Sequence, residues 1–267
     1  MNLDSYSGAT RVIFIVGDPI AQVKSPHGVT ESLRERRADA IVVPAHVKPA
    51  DIAAFFALAE RMPNVDGIIV TVPHKFDAAR LCAHASARAR SIGAVNVVRR
   101  ANDGRWEGDM CDGEGYVAGL RKAGCEPHGK RALLVGAGGA GSAIAHALID
   151  AGVSALALHE VDVTRREALA AKLCAYGPLV PSVGSADPTG FDLVINATPM
   201  GMKAGDPLPI DAGRLSTVTF VGDVVTMPQV PPLIEAARAL GCSTMTGAGM
   251  FEAVRDRILE FYLDKTA

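Results

Sequence analysis

The stretch Leu133-Leu134-Val135-Gly136-Ala137-Gly138-Gly139-Ala140-Gly141-Ser142 runs an apolar strand straight into glycines at the Gly-x-Gly-x-x-Gly spacing. Glycine alone removes the Cβ and tolerates a tight turn, so a pair of phosphates can reach backbone N–H groups at a helix N-terminus. The neighbouring residues fit that chemistry. Ala143-Ile144-Ala145-His146-Ala147-Leu148-Ile149 has helical apolar spacing, Gly152 closes it, and a second strand, Ala155 to Leu158, ends at Glu160. This is a βαβ unit with an acid about 20 residues beyond the glycines, where a carboxylate accepts hydrogen bonds from ribose hydroxyls. The candidate cofactor residues are Gly136, Ala137, Gly138, Gly139, Ala140, Gly141 and Glu160. A carboxylate suits the free ribose of NAD and repels the extra phosphate of NADP, so Leu158-His159-Glu160-Val161-Asp162 favours NAD. NADP is the alternative, because Arg165 and Arg166 lie close by.

A proton carrier is the second requirement of such chemistry. Val70-Thr71-Val72-Pro73-His74-Lys75 places Thr71 and Lys75 at the carboxyl end of a strand, where open α/β sheets hold their ligands. A lysine there can take a proton from a hydroxyl as a carbonyl forms, and return it in the reverse direction. The competing reading of Lys75 is a solvated lysine at a helix start. Ser25-Pro26 reads as a helix cap followed by proline, and Asp112 as the cap of a helix that begins at Gly113. Asn96 falls within an apparent strand, where a buried amide without a partner costs free energy.

These residues need a frame, and the apolar pattern supplies one. Strands are expected at Arg11 to Val16, Ala40 to Pro44, Gly67 to Val72 and Ala94 to Arg99. Helices are expected at Pro26 to Arg36, at Pro49 to Glu60 with Ile52, Phe55, Phe56 and Leu58 inward, and at Phe76 to His84. Asn102-Asp103-Gly104 is a hairpin-type turn. The bridging helix spans Gly113 to Ala123, and past Glu160 the pattern continues through Arg165 to Ala175, Phe191 to Asn196, Thr217 to Val225, Pro232 to Leu240 and a strand near Ser243. A terminal helix, Met250 to Tyr262, is long enough to pack back on the first domain. The fold class is α/β in two domains: residues 1–108, completed by 247–267, bind substrate, and residues 109–246 form a Rossmann-type doubly wound dinucleotide domain.

Composition excludes several functions. A chain of 267 residues with formal net charge -2 and 21% charged residues lacks the basic excess that nucleic-acid binding requires. No apolar run reaches the roughly 20 residues needed to span a bilayer. The polar start, Met1 to Thr10, lacks the apolar segment of a signal peptide, so the expected setting is the cytoplasm. Five cysteines (Cys82, Cys111, Cys125, Cys174, Cys242) without Cys-x-x-Cys pairing suit reduced thiols, and the seven histidines show no metal-ligand spacing. Monomer and homodimer are both compatible with these features.

Taken in order, the motifs resemble those of the shikimate and quinate dehydrogenase family over nearly the whole chain. The matching elements are Gly17-Asp18-Pro19-Ile20 with Ser25-Pro26, Val70-Thr71-Val72-Pro73-His74-Lys75, Gly93-Ala94-Val95-Asn96, Asp112-Gly113 with Gly115, the glycine loop, Asn196-Ala197-Thr198-Pro199-Met200-Gly201-Met202, and Gly247 with Met250. The resemblance implies a substrate domain and a dinucleotide domain facing each other across a cleft. It implies Lys75 and Asp112 as the catalytic pair and Asn96 as a substrate hydrogen-bonder. It also places Asn196, Ala197, Thr198 and Met200 at the nicotinamide end and counts Gly247 among the cofactor-binding residues. The family reaction is reversible oxidation of a ring secondary alcohol to a ketone.

The departures concern recognition. Val23 stands where the family usually has the first serine of Ser-x-Ser-Pro, and Ile69 where it has an asparagine. Cys111 stands where the family has threonine, Val254 where a glutamine contacts substrate, and Thr226-Met227-Pro228 where it has Tyr-Asn-Pro. Losing several hydroxyl-reading contacts together argues for a less hydroxylated or differently substituted substrate. The expectation is an NAD-preferring dehydrogenase of a cyclic hydroxy acid. Lys75 and Asp112 are catalytic, and Ser25, Thr71, Asn96, Val23, Ile69 and Val254 line the substrate. The alternatives are an ordinary NADP-dependent shikimate dehydrogenase and, from another class, a catalytically idle dinucleotide sensor.

Overall fold

Two apolar strand systems separated by a glycine- and acid-rich stretch fold as two sheets. The computed structural model describes residues 6–263. Contacts divide the chain into one unit that runs to Cys111 and returns from Arg255 onward, and another that spans Asp112–Val254.

In the first unit the strands are β1 (Arg11–Gly17), β2 (Ala40–His46), β3 (Val65–Val70), β4 (His84–Ala85), β5 (Val97–Arg100) and β6 (Trp106–Asp109), in the order β2-β1-β3-β5-β6-β4. β1 runs parallel to β2 and β3, whereas β5 is antiparallel to β3 and β6. The β5–β6 connection is the expected hairpin: the Ala101 N–H donates to the Arg105 carbonyl (2.8 Å), with Gly104 at positive φ. Helices α1 (Ser25–Glu35), α2 (Ile52–Glu60), α3 (Lys75–Leu81) and α4 (Ala87–Ile92) accompany the sheet.

Several local expectations are corrected. In α2, Ile52, Phe56 and Ala59 form the buried stripe, so Leu58 lies on the opposite side and is 63% exposed, and Phe55 is half-buried. β3 stops at Val70, and the Phe76–His84 helix ends at Leu81. There the chain forms β4 and then α4, which Ser86 caps by accepting from the Ala89 N–H (3.1 Å). Asn96 precedes β5 rather than lying inside a strand. Its backbone still joins the ladder irregularly, since the Val70 N–H donates to the Asn96 carbonyl (2.7 Å) and the Asn96 N–H to the Asp109 carbonyl (2.9 Å). The N-cap of α1 is Lys24, with Ser25 the first helical residue, so Ser25 is not spent on capping.

The second unit holds α5 (Asp112–Lys122), β7 (Arg131–Val135), α6 (Gly139–Asp150), β8 (Ala155–His159), α7 (Val163–Tyr176), β9 (Ser182–Val183), β10 (Leu193–Asn196), β11 (Phe220–Asp223), α8 (Pro232–Ala239) and β12 (Thr244–Met245). Its sheet is wholly parallel, in the order β12-β11-β10-β7-β8-β9, the doubly wound arrangement. A parallel sheet covered on both faces needs unbroken apolar strands, and all of Leu193, Val194 and Ile195 are buried, as are Ala132 to Val135. The short edge strand β9 has no counterpart in the sequence pattern. Gly113 in α5 lies so close to α6 that an added Cβ would strike the Ala143 carbonyl, which explains a glycine in the first turn of a helix.

The last helix, α9 (Gly247–Leu263), begins in the second unit and ends in the first. Within the first unit its final turns pack on the sheet. The Arg99 guanidinium lies 4.7 Å from the Phe261 ring centroid and donates to the Phe261 carbonyl (2.9 Å), while the Tyr262 hydroxyl donates to the Val98 carbonyl (3.1 Å). Among the described residues no helix is long and apolar enough to cross a membrane.

Candidate active site

In the first unit Thr71 and Asn96 lie at the carboxyl end of β3, Ile69 lies within that strand, and Ser25 opens α1, the helix that follows β1. Thr71 follows β3, and its N–H donates to the Val16 carbonyl of β1 (2.9 Å), which fixes its position between the two strands. Lys75 opens α3 and is half-buried, its carbonyl accepting from the Val95 N–H (3.0 Å). His74 beside it is fully buried, with Nε2 2.8 Å from the Val47 carbonyl, a local hydrogen-bonding role. Ser25 and Ile69 are buried and Val23 is half-buried. Asn96 is buried, and its Oδ1 accepts from the Cys111 N–H (2.8 Å), so part of its amide is committed to the chain just before Asp112.

Two basic side chains at this sheet edge are partly committed too. His46, which ends β2, has Nε2 2.6 Å from Asp18 Oδ1, and Lys48 Nζ lies 3.4 Å from the same carboxylate. The His46 hydrogen bond, aided by Lys48, holds the Asp18 carboxyl below the usual carboxylate range.

In the second unit the glycine loop has the geometry its spacing demands. Gly136 turns with φ +102°, a conformation that disfavours any side chain, and its N–H donates to the His159 carbonyl of β8 (2.8 Å). Gly141 packs so that an added Cβ would strike the Gly136 carbonyl, which brings α6 down onto the turn. Gly138 is the N-cap of α6, with ordinary extended backbone, and an added Cβ there would meet nothing within 4 Å. Structure therefore explains Gly136 and Gly141 but not Gly138. Open space before the N-terminal amides of a 12-residue helix is what a bound pyrophosphate needs. Gly139 and Ala140 form the first turn of that helix, and Ala137 is buried.

Glu160, just past β8, points back at this loop. The Ala137 N–H donates to Glu160 Oε2 (2.9 Å) and the Asp162 N–H to Oε1 (3.1 Å). An ionised carboxylate has about four acceptor positions, so capacity for ribose hydroxyls remains. Arg165 lies 3.8 Å from Glu160 and 3.6 Å from Asp162, neutralised by two acids.

Past β10, Asn196 is buried and spends its amide within the protein. Its Oδ1 accepts from the Thr198 N–H (3.0 Å) and hydroxyl (2.6 Å), and its Nδ2 donates to the Met200 carbonyl (3.1 Å). Asn196 shapes the Ala197–Met200 loop from inside, and that loop lies against the turn at Gly136, where an added Cβ would be 2.8 Å from Thr198 Cγ2. Gly247, the first residue of α9, presses on the Val224 and Val225 carbonyls, and Val254 further along is buried with its side chain and backbone against Gly115 of α5. Asp112 is buried at the start of α5.

The sequence motifs pass over Asp223, which ends β11 and is fully buried. It accepts from the Val225 N–H (2.8 Å) and from Asn196 Nδ2 (3.1 Å). Tyr116 in α5, also buried, sets its hydroxyl against Gly222, where no Cβ could fit. The signal was present: an acid closing Phe220-Val221-Gly222 repeats the pattern by which Asn196 closes Leu193-Val194-Ile195.

A parallel sheet with a glycine loop at its first strand, joined to a substrate-type α/β unit carrying a lysine at a strand end, defines a dinucleotide-dependent oxidoreductase. Comparison with known proteins identifies the lineage. Residues 15–98 match the model of the shikimate dehydrogenase substrate binding domain. The NADP(+) shikimate dehydrogenase of Rhodospirillum rubrum is 36% identical over 257 residues, covering 91% of this chain and 88% of that protein. Two solved structures are similar. The 5-ketofructose reductase of Gluconobacter sp. strain CHM43 is 29% identical, with TM-score 0.84 and coverage of 96% and 94%. The shikimate 5-dehydrogenase of Listeria monocytogenes, in complex with shikimate and NAD, is 26% identical, with TM-score 0.86 and coverage of 97% and 93%. The chain belongs to the shikimate dehydrogenase family and is a shikimate dehydrogenase-like oxidoreductase acting on CH–OH groups with NAD(P).

Burial pushes the Asp223 carboxyl up to about 7, outweighing the hydrogen bonds from Val225 and Asn196 that act the other way. The folded protein therefore retains a proton that the unfolded chain releases near pH 4, and this group's contribution to stability falls as pH rises from about 4 to 7. Thermal unfolding of the wild type and Asp223→Asn at pH 5 and pH 8 checks the sign. The midpoint of the wild type relative to the variant is expected to be lower at pH 8; a relative gain at pH 8 contradicts the assignment.

Proposed function

We propose that this protein reversibly oxidises a ring secondary alcohol of a cyclic hydroxy acid, with NAD as the preferred dinucleotide. The observation that carries the cofactor preference is Glu160, an acid hydrogen-bonded to the glycine loop where a 2′-phosphate would have to sit. Gly136 to Gly141 and the α6 N-terminus hold the pyrophosphate, Glu160 the adenosine ribose, and Ala197, Thr198, Met200 and Gly247 line the other end. A bound nicotinamide supplies the hydride acceptor or donor. Lys75 moves the alcohol proton as acid and base, with Asp112 as the carboxylate of the catalytic pair. Ser25, Thr71 and Asn96 orient the substrate, and Val23, Ile69 and Val254 present apolar surface to it.

A second reading of the substrate has specific support. Val23 has no hydroxyl to offer a carboxylate, His46 and Lys48 face Asp18, and a solved structure at 29% identity is a 5-ketofructose reductase, named for an uncharged ketose. That pattern supports a neutral polyol ketone as the alternative to a hydroxy acid. The NADP(+) specificity of the Rhodospirillum rubrum relative supports ordinary shikimate dehydrogenase as the remaining alternative.

Initial rates of nicotinamide reduction separate these readings, with shikimate, quinate, other ring hydroxy acids and neutral polyols each offered with NAD and with NADP. Turnover with NAD on a ring hydroxy acid, reduced by at least about 100-fold in Lys75→Ala, is expected. Efficient shikimate turnover with NADP contradicts the cofactor preference, and turnover confined to neutral polyols contradicts the acid substrate. Dinucleotide binding without turnover of any compound indicates a sensor. A second variant tests the loop. Because a Cβ at Gly138 meets no protein atom, Gly138→Ala is expected to keep the wild-type unfolding midpoint while weakening dinucleotide binding about tenfold or more. Unchanged binding refutes the cradle.

A further inference from the structure

The buried carboxylate of Asp223 bonds two segments directly and adjoins two more through them. It accepts from the Val225 N–H (2.8 Å) on its own loop and from Asn196 Nδ2 (3.1 Å) at the end of β10. Through Asn196 it reaches Thr198, whose hydroxyl donates to Asn196 Oδ1 (2.6 Å) and accepts from the Met200 N–H (3.1 Å). The carbonyls of the loop it braces, Val224 and Val225, form the surface on which Gly247 opens α9. One side chain with no exposed surface thus bonds the Val224–Val225 loop and Asn196, and these in turn adjoin the α9 N-terminus and the Ala197–Met200 loop.

The location of those segments gives the arrangement a purpose. The glycine loop comes directly after β7, and Glu160 at β8 takes the adenosine side, so a dinucleotide whose pyrophosphate lies at the α6 N-terminus extends its other half over β10, β11 and β12. Those are the strands whose carboxyl ends Asp223 organises. A merely structural carboxylate is a poor choice at this depth, since an apolar side chain would avoid the cost of burying it.

We infer that Asp223 is a positioning residue for the nicotinamide half of the dinucleotide, acting through Asn196 and Thr198 on one loop and through Val225 on the next. The inference rests on the proposed dinucleotide site. In Asp223→Asn, Oδ1 still accepts from the Val225 N–H (2.8 Å), while the NH2 that replaces Oδ2 opposes the Asn196 Nδ2 donor (3.1 Å), so the Asn196 side of the network is the one disturbed.

Calorimetric titration of the full chain with NAD and with ADP-ribose, which lacks the nicotinamide, tests it. Asp223→Asn is expected to weaken NAD binding about tenfold while ADP-ribose binding stays within about twofold of wild type. Equal losses for both ligands, or no loss for either, overturn the assignment. Should Asp223→Asn fail to fold, Thr198→Val breaks the same chain one link later, and the same split is expected from it; its absence likewise overturns the assignment. A wild-type chain that binds neither ligand refutes the dinucleotide site itself, an outcome distinct from a variant that merely lacks the split.

Discussion

The second unit depends on one close backbone approach: the α6 helix, at Gly141, rests on the carbonyl of Gly136, with no room for a side chain between them. That approach makes the β7–α6 turn tight enough to point helix amides outward. Glu160 then fixes the turn from the neighbouring strand through the Ala137 N–H. A larger residue at Gly136 or Gly141 would open the turn, whereas at Gly138 it would only occupy space the protein leaves vacant. The distinction between glycines required for folding and a glycine left for a ligand is the strongest physical argument that the loop is a cradle.

Buried polar groups at strand ends are the second organising device. Asn196 and Asp223 lie where the chain leaves a strand and Asn96 where it enters one, and each is buried. An unsatisfied polar group in such a place costs about 1–3 kcal/mol, so each side chain must be matched by backbone or side-chain partners. Those partners belong to the connecting loops, so satisfying the group also fixes the loop. Asn196 binds its loop at Thr198 and Met200, and Asn96 binds the Cys111 N–H. Loops that would otherwise vary acquire the definition of the sheet beneath them.

The parts of the fold that were legible in sequence are those in which local pattern and tertiary demand agree. The β7–α6–β8 unit was readable because an apolar run, the glycines and Glu160 each have one structural use. The βα alternation of the first unit was readable for the same reason, as was the hairpin at Asn102-Asp103-Gly104. Short elements were not. β4, α4 and β9 depend on pairing partners distant in sequence, and two-residue strands carry no periodicity of their own. The apolar spacing does not exclude Leu58 from the inner face, because α2 is apolar nearly all round and only packing chooses that face. Among the candidate site residues, the glycine loop is legible from its spacing and Lys75 from its place past a strand, whereas Asp112 reads as a helix cap and is a candidate only through the family resemblance. Asp223 was hidden inside an apparent strand, since a sequence alone does not reveal that a carboxylate at that point is buried.

The central claim is that the glycine loop, with Glu160 bonded to it, forms a dinucleotide site that accepts a free adenosine ribose and rejects a phosphorylated one. The most direct measurement is the dissociation constant of the unmodified chain for NADH and for NADPH, determined by calorimetry in the same buffer. NADH is expected to bind at least about tenfold more tightly, the effect of one desolvated like-charge contact. Tighter binding of NADPH, or equal binding of the two, would contradict it.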